Sequence, residues 1–282
     1  MFISPMLLHK TDEPFDHDDY VSELKMDGFR LIYSDIEDKK LYTRHHTDIT
    51  TRFPELLNLD IPKGTILDGE VVVTDSSGKP DFEAVMSRFS IFNSDKVKYM
   101  AKHEPVSFVV FDVLYHKGEK VTHLPLYKRK EILDEIIPVN TPILSKVMSI
   151  ESNGTAFFEL IKEQNLEGIV LKKKDSIYEI GKRSHSWLKV INYQYTKVIV
   201  NGYRKDDFGW LLSYEDGRNA GIMELGVPME ERKRIYQMPK KDENVKFVFI
   251  EPVSCYVKYR NITKAGLLRL PSYVSLMHKS PS

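Results

Sequence analysis

The chain has 282 residues with 41 basic and 41 acidic side chains, so no global field marks it for a polyanionic partner, although a local stripe of cations is all that phosphate contacts need. The length suits two domains. One cysteine, Cys255, excludes an internal disulfide and a cysteine-only zinc site, and points to a reducing compartment.

Residues 1–8 are apolar but lack a basic leader and are interrupted by Pro5. No later run reaches membrane-spanning length, so a cytoplasmic protein without a membrane partner is expected. Residues 1–19 read as an extended segment and an acidic loop. Residues 20–26 then alternate like a strand, and Asp27-Gly28 marks a turn. On a period of two, Glu23, Lys25 and Asp27 share one face. A half-buried lysine can lose its proton near neutral pH and become a nucleophile, while flanking carboxylates oppose this unless a metal or ligand engages them. On local pattern alone, a reactive Lys25 and a surface hairpin with Lys25 in a salt bridge are equal readings.

Residues 31–33 continue as a strand, 35–39 form a charged turn and 40–44 return. His45 and His46, adjacent and so pointing apart, read as solvated or structural rather than as metal ligands. Residues 48–57 open like a short helix. Residues 64–73 are a strand with Asp68 and Glu70 on the face shared by Ile66 and Val72. Carboxylates there are costly to bury unless paired or bound to a ligand, which favours a functional Glu70. A helical pattern covers 81–92, and 93–104 is polar and basic. The most continuous apolar run, 106–115, reads as a central strand whose Asp112 core packing does not explain.

Residues 126–137 have helical spacing, with Ile132, Leu133, Ile136 and Ile137 on one side and Lys128, Arg129, Lys130 and Glu131 mostly on the other. A second helix, from about 155 to 164, delivers the strand 167–172, where alternation sets Glu167 and Lys172 on opposite sides unless a bulge intervenes. Residues 172–189 form the one clearly basic segment, as compatible with a solvated face as with a binding surface. Beyond 190, short β-type runs at 196–203, 210–214, 220–225, 245–257 and 267–276, with one helix at 228–236, fit a small β-barrel of the oligonucleotide-binding type, with a sandwich as competitor.

Separate strands thus carry Glu23 and Lys25, Asp68 and Glu70, Asp112, and Glu167 into apolar settings, with Lys189 following. A site for a polyphosphate and a divalent metal needs that equipment. In order and spacing, Glu23-x-Lys25-x-Asp27-Gly28-x-Arg30, Thr43-Arg44, Leu67-Asp68-Gly69-Glu70, Phe111-Asp112, Glu167-Gly168-Ile169-Val170-Leu171-Lys172 and Trp187-Leu188-Lys189 resemble the ordered motifs of the ATP-dependent DNA ligases. The likeness is to the compact bacterial and bacteriophage type, similar to the ligase module of bacterial end-joining enzymes. It covers nearly the whole chain, with 52–56 and 181–184 similar to family connecting segments.

The resemblance implies an α+β chain. A nucleotidyltransferase (adenylation) domain of mixed, largely antiparallel sheets with flanking helices would span 1–190, and an OB-fold barrel 191–282. It implies ATP and Mg²⁺, or Mn²⁺, as cofactors. Lys25 would attack the α-phosphate and carry AMP, then pass it to the 5′-phosphate of a break for displacement by the 3′-hydroxyl. Residue by residue, Glu23 would read the adenine amino group with Leu24 beside it, Arg30 and Glu70 the ribose, and Phe111 would stack on the base. Glu70 and Glu167 would hold the metal, Lys172 and Lys189 would contact the nucleotide, and Arg44 would grip the 5′-phosphate. The partner would be nicked or broken duplex DNA, bound by a monomer with steep salt dependence, with a DNA-end-binding or clamp-type recruiter as a further partner. With 24 residues before Lys25, no N-terminal DNA-encircling domain is expected.

Two positions depart from the family pattern: Ile191 stands where many relatives have a second lysine, and Met277-His278-Lys279-Ser280 replaces the usual Arg-x-Asp-Lys. Lys264, Arg269 and Lys279 are the candidates to compensate. An RNA ligase, a capping-type nucleotidyltransferase and a non-catalytic nucleic-acid-binding relative are the alternatives; Glu23 argues for adenine over guanine.

Overall fold

The structure, a computed structural model, describes residues 1–277, so the expected element at 277–280 lies outside the described residues except for Met277. The chain divides into two compact units, one of Met1–Asn192 and one beginning at Tyr193. In the first unit the elements are β1 (Leu7–Lys10), β2 (Tyr20–Leu24), β3 (Phe29–Asp35), β4 (Lys39–Thr43), β5 (Thr65–Val72), α1 (Phe82–Phe89), α2 (Ser94–His103), β6 (Ser107–His116) and β7 (Glu119–Lys120). They continue with α3 (Leu126–Ile136), β8 (Leu144–Lys146), β9 (Ser149–Glu151), α4 (Gly154–Glu163), β10 (Gly168–Lys173) and β11 (Arg183–Ile191).

These strands make two sheets. One has the order β4-β3-β5-β6-β7 with β8 also on β6, and the other the order β1-β11-β10-β2-β9. Pairing is antiparallel except for β1 with β11 and β6 with β8. Period-two alternation sorts the first sheet into two apolar faces. Leu31, Tyr33, Leu67, Val71, Phe108 and Val110 pack with Phe53, Leu56, Val85 and Leu133. On the opposite face Ile32, Ile66 and Leu114 meet Met6, Tyr178 and Trp187. Burial on both sides is why β6 reads as an unbroken apolar run. In the second sheet Ile169, Leu171 and Val190 pack on Phe157, Phe158 and Ile161, the latter three from α4. Alternation leaves Glu23, Val170, Lys172, Trp187 and Lys189 on the other face, and that face forms one wall of a cleft.

The second unit adds β12 (Gln194–Arg204), β13 (Trp210–Ser213), β14 (Asn219–Met223), α5 (Met229–Tyr236), β15 (Lys240–Glu243), β16 (Phe247–Tyr259) and β17 (Ser272–Leu276). Its sheet runs β14-β13-β12-β16-β15, with β17 also paired to β16. Val198, Val200, Trp210, Leu212, Ile250, Cys255 and Val257 form its core with Ile235 of α5.

Local departures from the sequence expectations have physical causes. Residues 48–57 contain two 3₁₀ turns, Thr50–Arg52 and Pro54–Asn58, rather than an α-helix. The polar segment after residue 92 is a true helix, α2, capped by the Asn93 side chain, which accepts from the backbone N–H groups of Asp95 and Lys96. Its single buried residue, Val97, gives almost no periodic signal. Strand β15 is charged and wholly exposed, so it shows no alternation either. In α3, Arg129 points inward and is fully buried rather than lying on a solvent face.

Candidate active site

The two sheets of the first unit flank an open cleft lined by Leu8, Glu23, Leu24, Lys25, Met26, Arg30, Glu70, Phe111, Val170, Lys172 and Trp187. Lys25 follows directly on β2, and its backbone N–H donates to Gly168 O at 3.0 Å, so the chain is still laid along β10 where the lysine projects. Its Nζ donates to Glu167 Oε2 at 2.8 Å, with the two side chains 20% and 7% exposed. Strict alternation would have set Glu167 apart from Lys172, yet Glu167 meets Lys25 while Lys172 lines the same cleft. The reason is Gly168, the first residue of β10, whose φ of +150° re-aims the chain as it enters the strand. A Cβ there would lie 2.1 Å from Val190 O, so only glycine fits.

Glu23 and Lys172 are both 2% exposed. The Glu23 carboxylate pairs with Lys172 Nζ at 2.7 Å and with Lys130 Nζ from α3. Lys172 Nζ also lies 4.5 Å from the Phe111 ring centroid and 3.9 Å from that of Trp187. An ammonium between two aromatic faces beside a carboxylate is well held. Even so, burial pulls the Lys172 pKa down to about 8, against the upward pull of Glu23. The linkage sign follows: between about 8 and the ordinary lysine value near 10.5 the unfolded chain binds the proton that the folded chain has lost, so folding stability rises with pH across that window. Chemical denaturation at pH 7.5 and pH 10 is expected to show wild type gaining stability relative to Lys172→Met. A difference that stays flat with pH would show that the ammonium is not penalised by its surroundings.

Arg30 grips Asp68 through Nε to Oδ1 at 2.8 Å and Nη2 to Oδ2 at 2.6 Å, while the Tyr178 hydroxyl donates to the same Oδ2 at 2.6 Å. Burial lowers the arginine's affinity for its proton, but Asp68 more than restores it, so the guanidinium is held above its usual range. Arg30 also stands 5.2 Å from the Phe111 ring centroid. Glu70, opposite Arg30 in the β3–β5 register, is half-buried. Burial pushes its pKa up to about 7 despite the nearby Lys25 and Arg30 cations.

Asp112 does not join this group. It is fully buried and forms a two-pronged pair with Arg129, Nε to Oδ1 at 2.7 Å and Nη2 to Oδ2 at 2.9 Å. The cost of placing a carboxylate in β6 is therefore met by a structural ion pair, and Asp68 is likewise engaged by Arg30. Sequence reasoning missed Lys130 and gave Val170 and Trp187 no role. The last two were findable, because Val170 alternates with Lys172 on β10 and Trp187 sits directly across from Lys172 on β11.

Lys189, half-buried, lies beside Val170 on β11, and Val170 in turn lies beside Glu23. Burial lowers its pKa, and the charges of Lys25, Arg183, Arg44 and Lys10 lower it further, which places these cations within electrostatic reach of one another. Arg44 itself is exposed in the turn after β4, where its Nε donates to His45 Nε2 at 2.9 Å. His46 stacks on Phe2 at 4.2 Å between ring centroids, in keeping with a structural histidine. Ile191, where the resemblance led to an expected second lysine, is buried. Among the described residues no three carboxylate, imidazole or thiolate groups cluster closely enough to hold a metal by themselves. No described helix is long and apolar enough to cross a membrane.

An ordered series of charged residues in a two-sheet cleft, in this sequence order, agrees with comparison against known families: the ATP dependent DNA ligase domain matches residues 5–190. The chain belongs to the ATP-dependent DNA ligase family. This ligase is 50% identical over 277 residues to the SPbeta prophage-derived DNA ligase-like protein LigB of Bacillus subtilis, covering 98% of this chain and 99% of that one. It is 29% identical over 233 residues to the multifunctional non-homologous end joining DNA repair protein LigD of Mycobacterium tuberculosis. That match covers 80% of this chain and 28% of LigD. Among solved structures it matches a Lig E DNA ligase described as binding DNA with a minimal scaffold, with a TM-score of 0.73 at 18% identity, over 98% of this chain and 100% of that one. That likeness supports the mixed α+β fold with antiparallel sheets and few helices.

Proposed function

We propose that the cleft is the adenylation site of an ATP-dependent DNA ligase and that Lys25 carries AMP. The observation that carries this reading is the Lys25–Glu167 pair, held at 2.8 Å in a cleft that also presents Glu23, Arg30, Glu70 and Phe111. The Lys25 amine, which donates to Glu167 in the free protein, must lose its proton before it attacks. The nitrogen then forms a bond to the α-phosphorus of ATP and pyrophosphate leaves. AMP next passes to the 5′-phosphate of a DNA break, and the 3′-hydroxyl displaces it, forming the phosphodiester bond.

Each neighbouring side chain has a task in this scheme. Phe111 and Val170, from the two walls, sandwich the base, and the Phe111 face becomes available when the Lys172 ammonium moves aside. Glu23 accepts from the adenine amino group, with Lys130 keeping its charge balanced from behind. Arg30 and Glu70 address the ribose, Lys172 and Lys189 the phosphates, and Arg44 the 5′-phosphate of the break.

Glu70 and Glu167 are oxygen donors from separate elements that flank Lys25, which is the donor set Mg²⁺ or Mn²⁺ takes when nucleotide phosphates and water complete its shell. When bound, the ion neutralises charge that develops on the phosphates. The second unit, from about residue 191, is read as an OB-fold barrel that adds to the grip on duplex DNA, in a cytoplasmic monomer.

Incubation with ATP or GTP labelled in the α-phosphate, followed by a nicked DNA or RNA duplex, tests this. Covalent label is expected from ATP and not from GTP, with sealing of DNA. Equal labelling by GTP would remove Glu23 from base selection, and absence of any label would sink the adenylation reading.

A further inference from the structure

The basic segment 93–104 has no part in the adenylation site, yet it folds as α2 with an unusual outward face. Lys98 and Lys102 lie one turn apart, Tyr99 and His103 likewise with their rings 4.4 Å apart between centroids, and Lys96 flanks them. All five are exposed. Lys96, Lys98 and Lys102 have no carboxylate partner among the described residues, whereas the exposed Lys128 pairs with Glu131 one turn on. Asp95 in the first turn and Lys102 and His103 in the last suit the helix dipole. That account fails for Lys96, a cation in the first turn, and for Lys98 in the middle.

Cations and aromatic rings also gather around the segment that leads into this helix. Phe29, on the face of β3 opposite to Arg30, packs on Phe89 at 5.0 Å between centroids. The Arg52 guanidinium lies 5.0 Å from the Phe89 ring and 4.0 Å from that of Phe92, which is 73% exposed and directly precedes the Asn93 cap. A ridge of cations and aromatic rings therefore runs from Arg52 and Phe92 into the exposed lysines of α2.

We propose that this ridge, Arg52–Phe92 and the lysines of α2, grips the sugar–phosphate backbone of the duplex that flanks the break. The proposal rests on the ligase reading and adds to it a surface outside the nucleotide site. Exposed, flexible ammonium groups on one helix face suit phosphate neutralisation without sequence readout. Phe92, held outward by Arg52, offers an apolar contact to the sugars beside them.

The test is the triple variant Lys96→Ala/Lys98→Ala/Lys102→Ala, all exposed positions in a helix that alanine favours, with circular dichroism to confirm the fold. Labelling by ATP is expected to match wild type. Affinity for a nicked duplex is expected to fall by about tenfold or more, and the slope of log affinity against log salt to become shallower by about 2.7, near 0.9 for each phosphate that is no longer neutralised. Unchanged affinity and slope in the triple variant would overturn the ridge. Failure of wild type to form protein–AMP would instead overturn the ligase reading, and the two outcomes are read separately.

Discussion

Lys25→Arg is expected to abolish covalent protein–AMP formation, with a loss of about 10⁴-fold or more, the scale seen when a nucleophile is removed from a group of residues that act together. Arginine is the sharper substitution than alanine. It keeps a cation opposite Glu167, where the lysine amine now donates at 2.8 Å, so the cleft's charge balance is retained. A guanidinium does not give up its proton at any working pH and cannot become the attacking amine. Lys25→Ala removes both the charge and the nucleophile, and leaves the Glu167 carboxylate, 7% exposed, without that lysine. If Lys25 were only a salt-bridge partner on a hairpin, the arginine variant would label with ATP about as well as wild type. Labelled protein in that variant, resolved on a denaturing gel, would refute the assignment. Binding of unlabelled ATP, followed by calorimetry, is expected to survive in Lys25→Arg, because Phe111, Glu23 and Arg30 remain in place.

The contrast between what the sequence discloses and what it hides follows from how each signal arises. Strands buried on both faces, such as β6, and helices with an apolar stripe, such as α4, are legible because many residues repeat one message. So are Glu23, Lys25, Arg30, Glu70 and Phe111, which line one cleft. The pairing of Asp112 with Arg129 is illegible from either segment. Both charges are expensive to bury, and only the three-dimensional contact shows that each offsets the other, so sequence alone sets the aspartate among the site acids and the arginine on a surface. Lys130 is hidden in the same way, since helical periodicity assigns a face but not the carboxylate of Glu23 waiting beyond it. The Glu167 and Lys172 parity fails for a local reason, a glycine at φ +150° where simple alternation assumes extended backbone. Alternation holds within a strand and ends where the strand ends.

Arg129→Met is expected to produce the largest loss of stability among single changes outside the cleft's chemistry. The guanidinium holds Asp112 by two hydrogen bonds and also donates to the carbonyls of Leu124 at 2.6 Å and Ser176 at 2.9 Å. It thereby ties β6, α3 and the 174–178 segment together. Burial raises the Asp112 pKa, but Arg129 more than reverses this and holds the carboxyl below the usual carboxylate range. The pair therefore contributes stability above the unfolded carboxylate pKa and loses it as the pH falls through the folded value. Methionine fills much of the same volume but leaves an unpaired charge in the core, a defect that costs about 3–5 kcal/mol. Because Asp112 adjoins Phe111, nucleotide affinity is expected to fall together with stability. Replacing both partners, Arg129→Met with Asp112→Leu, removes the orphaned charge and is expected to recover a large part of the loss. Thermal and urea melts of the two single variants and the double variant decide the matter. A double variant no more stable than Arg129→Met alone would mean that the contacts to Leu124 and Ser176, rather than the ion pair, hold this corner of the fold.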